Sequence, residues 1–200
     1  METTVEFREF GKIARLSREV IITEKIDGTN ASVYIPEDRS CVLAGSRTRW
    51  ITPDDDNYGF ARWVAEHAAE LATLGPGHHF GEWWGQGVQR GYGLREKRWS
   101  LFNVQRWCPH GLTPQVLPSP DPRVVRLQDT LPPCCTLVPV LWRGVFDTAA
   151  VEECLWQLRV GGSVAAPGFK PAEGVVVWHT AANVGFKKTI LKDEQPKSKQ

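Results

Sequence analysis

Apolar and polar positions alternate along this chain in short blocks. Val20-Ile21-Ile22 is followed by a polar corner at residues 23–30, and a second run, Ala31-Ser32-Val33-Tyr34-Ile35, begins at once. Two β-branched runs either side of Asp27-Gly28 predict a pair of strands with a tight turn between them. Residues 41–46 predict a third short strand. Phe60, Val64, Ala68 and Leu71 recur at helical spacing, so residues 58–74 read as a helix that stops at Gly75-Pro76-Gly77. Further strands are expected near Phe80-Gly81-Glu82, over residues 99–104, over 136–142 and at Val175-Val176-Val177-Trp178. Between the last two, a helix runs from a cap at Asp147 or Thr148 through Leu158 and ends at Gly161-Gly162-Ser163. Upstream of the first strand, Phe7, Phe10, Ile13 and Leu16 sit at roughly helical spacing and read as a packing preface to it.

Two stretches break this pattern. Residues 109–133 shift to Pro, Ser and Asp and read as an irregular surface insertion, with one short strand at Val124-Val125-Arg126-Leu127. Residues 191–200 form a charged tail expected to be disordered. What remains, residues 1–190, is expected to be one domain, and 200 residues suffice for a sizeable core.

Charge adds little. A net charge of +1 gives no global basic field, so any nucleic-acid surface must be local. Of nine tryptophans, Trp99, Trp142 and Trp178 lie in strand-like runs and are assigned to core packing ahead of base stacking. The five cysteines are odd in number and irregular in spacing, which favours reduced thiols over a disulfide framework. Cys108-Pro109-His110 with Cys134-Cys135 supplies zinc-type ligands but no Cys-x-x-Cys pair, so metal binding there is not expected. The leading Met1-Glu2-Thr3-Thr4-Val5-Glu6 lacks a basic and apolar signal, and no long apolar run exists. A soluble, cytoplasmic protein without membrane partners is expected.

The corner itself carries the chemistry. Lys25 sits on scaffold between two strands. A lysine becomes a nucleophile only as the neutral amine, against a model-compound pKa of about 10.4. Burial and a nearby cation favour that form, whereas Asp27 alone opposes it. Lys-x-Asp-Gly by itself is equally consistent with a hairpin bearing a solvated lysine.

The longer motif Lys25-Ile26-Asp27-Gly28-Thr29-Asn30 resembles the nucleophile motif of the covalent nucleotidyltransferases, the superfamily of ATP-dependent ligases and capping enzymes. Thr-Asn after the glycine looks like the RNA ligase branch. Other parts follow in order. Arg47, after the third strand, matches an arginine that touches nucleotide or RNA phosphate; Arg49 is the fallback, and spacing alone equally allows a solvated pair. Glu82 in Phe80-Gly81-Glu82 resembles a ribose-contacting glutamate, although alternation alone would make it an outward strand residue. Phe102 matches an aromatic that stacks on the purine, and without the resemblance it is simply core. Glu173-Gly174 resembles the motif that helps hold the catalytic metal. Phe186-Lys187-Lys188 resembles the terminal lysine motif, usually Lys-x-Lys. Adjacent lysines on a strand face opposite ways, and Lys187 is favoured. Asp54-Asp55-Asp56 is read as a helix N-terminus and not as a metal cluster.

The resemblance implies an α+β nucleotidyltransferase (adenylation) domain, with antiparallel sheets around a nucleotide-binding cleft. It implies an ATP-dependent RNA ligase of the RNA ligase 2 type, with ATP and Mg²⁺ or Mn²⁺ as cofactors and broken or nicked RNA as partner. Lys25 would take AMP from ATP, pass it to an RNA 5′-phosphate, and release it when a 3′-hydroxyl attacks. Glu24, Asn30, Arg47, Glu82, Phe102, Lys187 and Lys188 are the expected nucleotide contacts, and Glu173 and Asp27 the expected metal ligands. Larger relatives carry a further domain after the last lysine motif. About a dozen residues follow it here. A minimal ligase, or one that takes its RNA binding from a partner protein or domain, is expected. The alternatives are a nucleotidyltransferase acting on another acceptor such as DNA ends, and a non-catalytic module that binds nucleotide or RNA ends.

Overall fold

The computed structural model describes residues 6–107, 131–191 and 193. The corner at Lys25 lies between two strands of different sheets. β1 (Glu19–Lys25) sits inside a four-stranded antiparallel sheet with β8 (Val140–Val145), β9 (Gly174–His179) and β10 (Val184–Thr189), in the order β10-β9-β1-β8. β2 (Thr29–Ile35) begins a six-stranded sheet with β3 (Leu43–Gly45), β4 (Trp50–Ile51), β5 (Gly77–Gly85), β6 (Lys97–Leu101) and β7 (Cys135–Leu137), in the order β4-β3-β2-β5-β6-β7. Its pairings are antiparallel except β6 with β7. The expected α+β class with antiparallel sheets is the observed one. Three residues, Ile26, Asp27 and Gly28, carry the chain from one sheet to the other.

Period-two alternation sorts β1 between two environments. Val20 and Ile22 enter a core closed by α4 (Thr148–Gly161), with Val151, Cys154, Leu155 and Leu158 against Val175 and Val177. Ile21 turns the other way and joins a larger core on the six-stranded sheet, which includes Val33, Ile35, Trp83, Trp99 and Leu101. α1 (Phe60–Glu66) covers that sheet, with Phe60 and Trp63 packed on Trp83 and Trp99 at centroid distances of 5.2–5.9 Å. Burial of this cluster is the main apolar contribution to that half of the protein.

The helix ends obey local chemistry. Asp147 caps α4 by accepting from the Ala149 N–H at 2.9 Å. Asp56 accepts from the N–H groups of Ala61 and Arg62 at 2.8 and 3.2 Å, so this aspartate of the acidic trio serves a helix start.

Three expectations need correction. Residues 6–15 form no helix; Phe7, Phe10, Ile13 and Leu16 are exposed, and the spacing found no surface among the described residues to pack on. The helix expected over 58–74 breaks at His67, whose φ/ψ of −107°/15° separates α1 from α2 (Ala68–Leu71), and a 3₁₀ turn (Ala72–Leu74) follows. β6 stops at Leu101, so the strand expected through 104 ends earlier and Phe102 stands at its exit, before α3 (Val104–Trp107). The strand at Val124-Val125-Arg126-Leu127, Cys108, His110 and most of the 109–133 insertion lie outside the described residues, as does nearly all of the tail. Among the described residues no helix is long and apolar enough to cross a membrane.

Candidate active site

A cleft of about 1040 Å³ opens between the two sheets. One wall comes from the four-stranded sheet, and the strand register explains which residues face it. Ile21, Thr23 and Lys25 alternate onto the cleft side of β1, opposite Trp178, Val176 and Gly174 of β9. Val176 in turn pairs with Lys187 of β10. Lys25 and Lys187 therefore share a face, two strands apart. Trp178 lines this wall half-buried, which corrects its expected place in the core.

Lys25 Nζ donates to Glu173 Oε2 at 2.7 Å, with the lysine side chain 17% exposed and the glutamate 3%. An ammonium held this way has no lone pair to offer. The contact must open, and a proton leave, before Nζ attacks an electrophile.

The other wall comes from the six-stranded sheet. Asn30 of β2 lies opposite Glu82 of β5. Glu82 Oε1 accepts the Gly28 N–H at 3.0 Å, and Oε2 accepts from Asn30 Nδ2 at 3.2 Å. The motif glycine follows from this packing, because a Cβ at Gly28 would fall 2.4 Å from the Trp83 carbonyl oxygen and 2.7 Å from Trp84 Cβ. Phe102, 40% exposed, and Arg47 also border the cleft. Arg49 is instead bound to Asp55, through Nη2 at 2.9 Å and a second short contact, so Arg47 is the arginine of this pair at the cleft.

Three further expected site residues, Glu24, Lys188 and Asp27, make contacts within the protein. Glu24 borders the cleft, but its carboxylate accepts from Ser163 Oγ at 2.6 Å and from the N–H groups of Val164 and Ala165 at 2.8 and 2.9 Å. Burial raises its pKa, against those three hydrogen bonds. It ties β1 to the loop after α4. Lys188 pairs with Val175, on the α4 side of the sheet, and its ammonium contacts Glu152 of α4. There it forms a surface ion pair, on the face of β10 away from Lys187. Asp27 accepts from Arg90 Nε at 2.7 Å, while its own N–H donates to the Tyr92 hydroxyl at 2.7 Å. Its carboxylate braces the corner through Arg90.

Sequence reasoning missed that bracing. Arg90 also donates to the Pro171 carbonyl at 3.1 Å, linking the corner to the approach to β9. Burial raises the Tyr92 pKa far above the ordinary phenol value, so its hydroxyl stays neutral. Both residues stand more than sixty positions from Asp27, and no local pattern announces the pairing.

Among the described residues no group of three His, Cys, Asp or Glu converges as a metal cluster. A hard cation held mainly by phosphate oxygens and water needs only one or two protein carboxylates, and Glu173 beside Lys25 fits that demand.

The fold is similar to that of Naegleria gruberi RNA ligase variants. An apo lysine-to-alanine variant has a TM-score of 0.55 at 21% identity over 86% of this chain and 50% of that one. A lysine-to-methionine variant with AMP and Mn has 0.54 at 20% over 87% and 50%. A glutamate-to-alanine variant with ATP and Mn has 0.56 at 20%, again over 87% and 50%. The chain thus spans about half the length of these structures. No curated protein matches it. The RNA ligase family model matches residues 18–192, which is most of the chain, and the chain belongs to that family.

Proposed function

We propose that this chain is the adenylating domain of an ATP-dependent RNA ligase, with Lys25 as nucleophile. The observation that carries the reading is the placement of Lys25 at 2.7 Å from Glu173, on one cleft wall with Lys187, facing Glu82, Asn30 and Phe102 on the other. Spacing supports it further. The Naegleria variants replace a lysine, an aspartate two residues later, a glutamate 57 residues after the lysine, and a glutamate and lysine 14 residues apart. Lys25, Asp27 and Glu82, and then Glu173 and Lys187, keep those spacings.

In this reading the Lys25 amine attacks the α-phosphorus of ATP. An N–P bond forms, the P–O bond to pyrophosphate breaks, and the amine loses its proton. The resulting lysyl-AMP gives its AMP to an RNA 5′-phosphate, and a 3′-hydroxyl then displaces AMP to form the phosphodiester. Glu173 first holds Lys25 in position. A divalent cation, when bound, offsets charge on the attacked phosphate, and Glu173 is the side chain placed to help hold it. Lys187 supplies a fixed positive charge on the same wall, and Glu82 with Asn30 orients the ribose while Phe102 stacks on the base. RNA is the proposed partner, with any further RNA contacts supplied by a partner protein or domain.

The test is intact mass after incubation with ATP and Mg²⁺. Wild type is expected to gain one AMP and Lys25→Ala none. Full labelling of Lys25→Ala would remove the lysine from this role.

A further inference from the structure

The face of the six-stranded sheet that carries Asn30 and Glu82 departs from ordinary alternation beyond the cleft. An antiparallel sheet with one face on a core normally turns polar side chains to water on the other. Ala31, Val33 and Ile35 of β2 are in the core. The opposite face instead carries a row of rings. Tyr34 lies across from His78, and Ser32 across from Phe80, while Trp50 pairs with Gly45 next to Ser32. Trp50 is 51% exposed and Phe80 57%.

These rings are ordered against one another. Tyr34 and His78 have centroids 4.5 Å apart; Trp50 stacks on His78 at 5.9 Å and 21°, and His78 on Phe80 at 5.7 Å and 8°. Trp50 lies over Gly45, where a Cβ would come within 3.3 Å of the indole. The row continues into the cleft on one face, because Ser32 and Tyr34 share the side of Asn30, and His78 and Phe80 the side of Glu82. His78 and Phe80 also line the cleft, together with Phe102 and Arg47.

We infer that Trp50, Tyr34, His78 and Phe80 form a base-stacking platform for a single RNA strand whose end enters the cleft. The inference rests on the ligase reading for its substrate class. Trp50, His78 and Phe80 are near-parallel and exposed, with Tyr34 tilted against them, and such rings offer aromatic surface to successive bases without reading sequence, which suits an enzyme that joins ends. An exposed sheet face bearing aromatics is a general solution for single-stranded RNA. Arg47 at the cleft supplies charge for the phosphates between stacked bases.

The test compares binding of a short, dye-labelled single-stranded RNA with a strand of the same length and backbone whose nucleotides lack bases. Wild type is expected to prefer the base-bearing strand. Trp50→Ala is expected to lose about tenfold on that strand and to leave the abasic strand unchanged, while Trp50→Phe retains most of the preference. Equal binding of both strands by wild type, or an unchanged preference in Trp50→Ala, overturns the platform. AMP capture on the same preparations separates the two readings, since Trp50 lies outside the cleft lining. Capture without base-dependent binding rejects the platform alone. Base-dependent binding without capture rejects the adenylation reading and keeps the platform.

Discussion

Lys187 and Lys188 are adjacent and chemically identical, and strand parity alone separates them. Lys187 shares its face with Val176 and the cleft, whereas Lys188 shares its face with Val175 and meets Glu152. Lys187→Ala is expected to remove a charge-assisted phosphate contact of about 1.5–3 kcal/mol and so slow AMP capture roughly 10- to 150-fold. Lys188→Ala is expected to capture AMP at the wild-type rate and lose no more than about 1 kcal/mol of stability, since its ion pair is exposed. Single-turnover labelling and urea titration measure the two; equal slowing by both variants would contradict the parity argument. The sequence names the residue types at this site because Lys25, Glu173 and Lys187 each sit in a local motif. It does not reveal which of two neighbours faces the cleft, because that depends on the register between β9 and β10. Glu24 and Lys25 illustrate the same limit. One turns to Ser163 and the other to Glu173, and only the packing of both sheet faces decides which.

At the scale of elements, strands were legible where β-branched runs met turn residues, as at β1, β2 and β9. Helix 58–74 was legible as apolar periodicity, but periodicity survives a one-residue break and so hid His67. The stripe from Phe7 to Leu16 had helical spacing and no partner, and spacing without a surface to bury does not make a helix. β5 offers a test of how an element is tied down. His79 is buried on it, with Nε2 donating to the Gly75 carbonyl at 2.8 Å, which joins the end of the 3₁₀ turn to the strand. Burial is the main cause that lowers its pKa below the ordinary imidazole value of 6.5. The folded state then binds fewer protons than the unfolded state as pH falls through 6.5, so stability present above that value is lost below it. Urea midpoints taken from pH 7.5 to 5.5 are expected to fall for wild type. His79→Gln, which keeps a donor for Gly75, is expected to show a flatter decline; identical slopes would mean that His79 does not set this dependence.

Across the whole molecule, the two cleft walls belong to two sheets that share part of the larger core through Ile21 and Val140 and are joined by the Lys25-to-Thr29 corner and its braces. Gly28 to Glu82 and Asp27 to Arg90 are those braces, and Arg90 reaches on to Pro171. A nucleotide that contacts both walls binds only when both sheets are folded and correctly set. Its binding energy then adds to the stability of the whole, by about 2.7 kcal/mol at a ligand concentration one hundred times Kd. For a chain of this size that corresponds to a rise in Tm of roughly 5–10 °C. Lys187→Ala on one wall and Glu82→Ala on the other are each expected to shrink the rise, measured as the difference between free and ATP-loaded protein so that the variant's own stability cancels. Lys188→Ala, on the far side of the same sheet, is expected to keep it in full. If the rise survives loss of Lys187 but not of Glu82, the nucleotide sits on the six-stranded wall alone. Lys25 could then reach the phosphate only after the sheets move relative to one another.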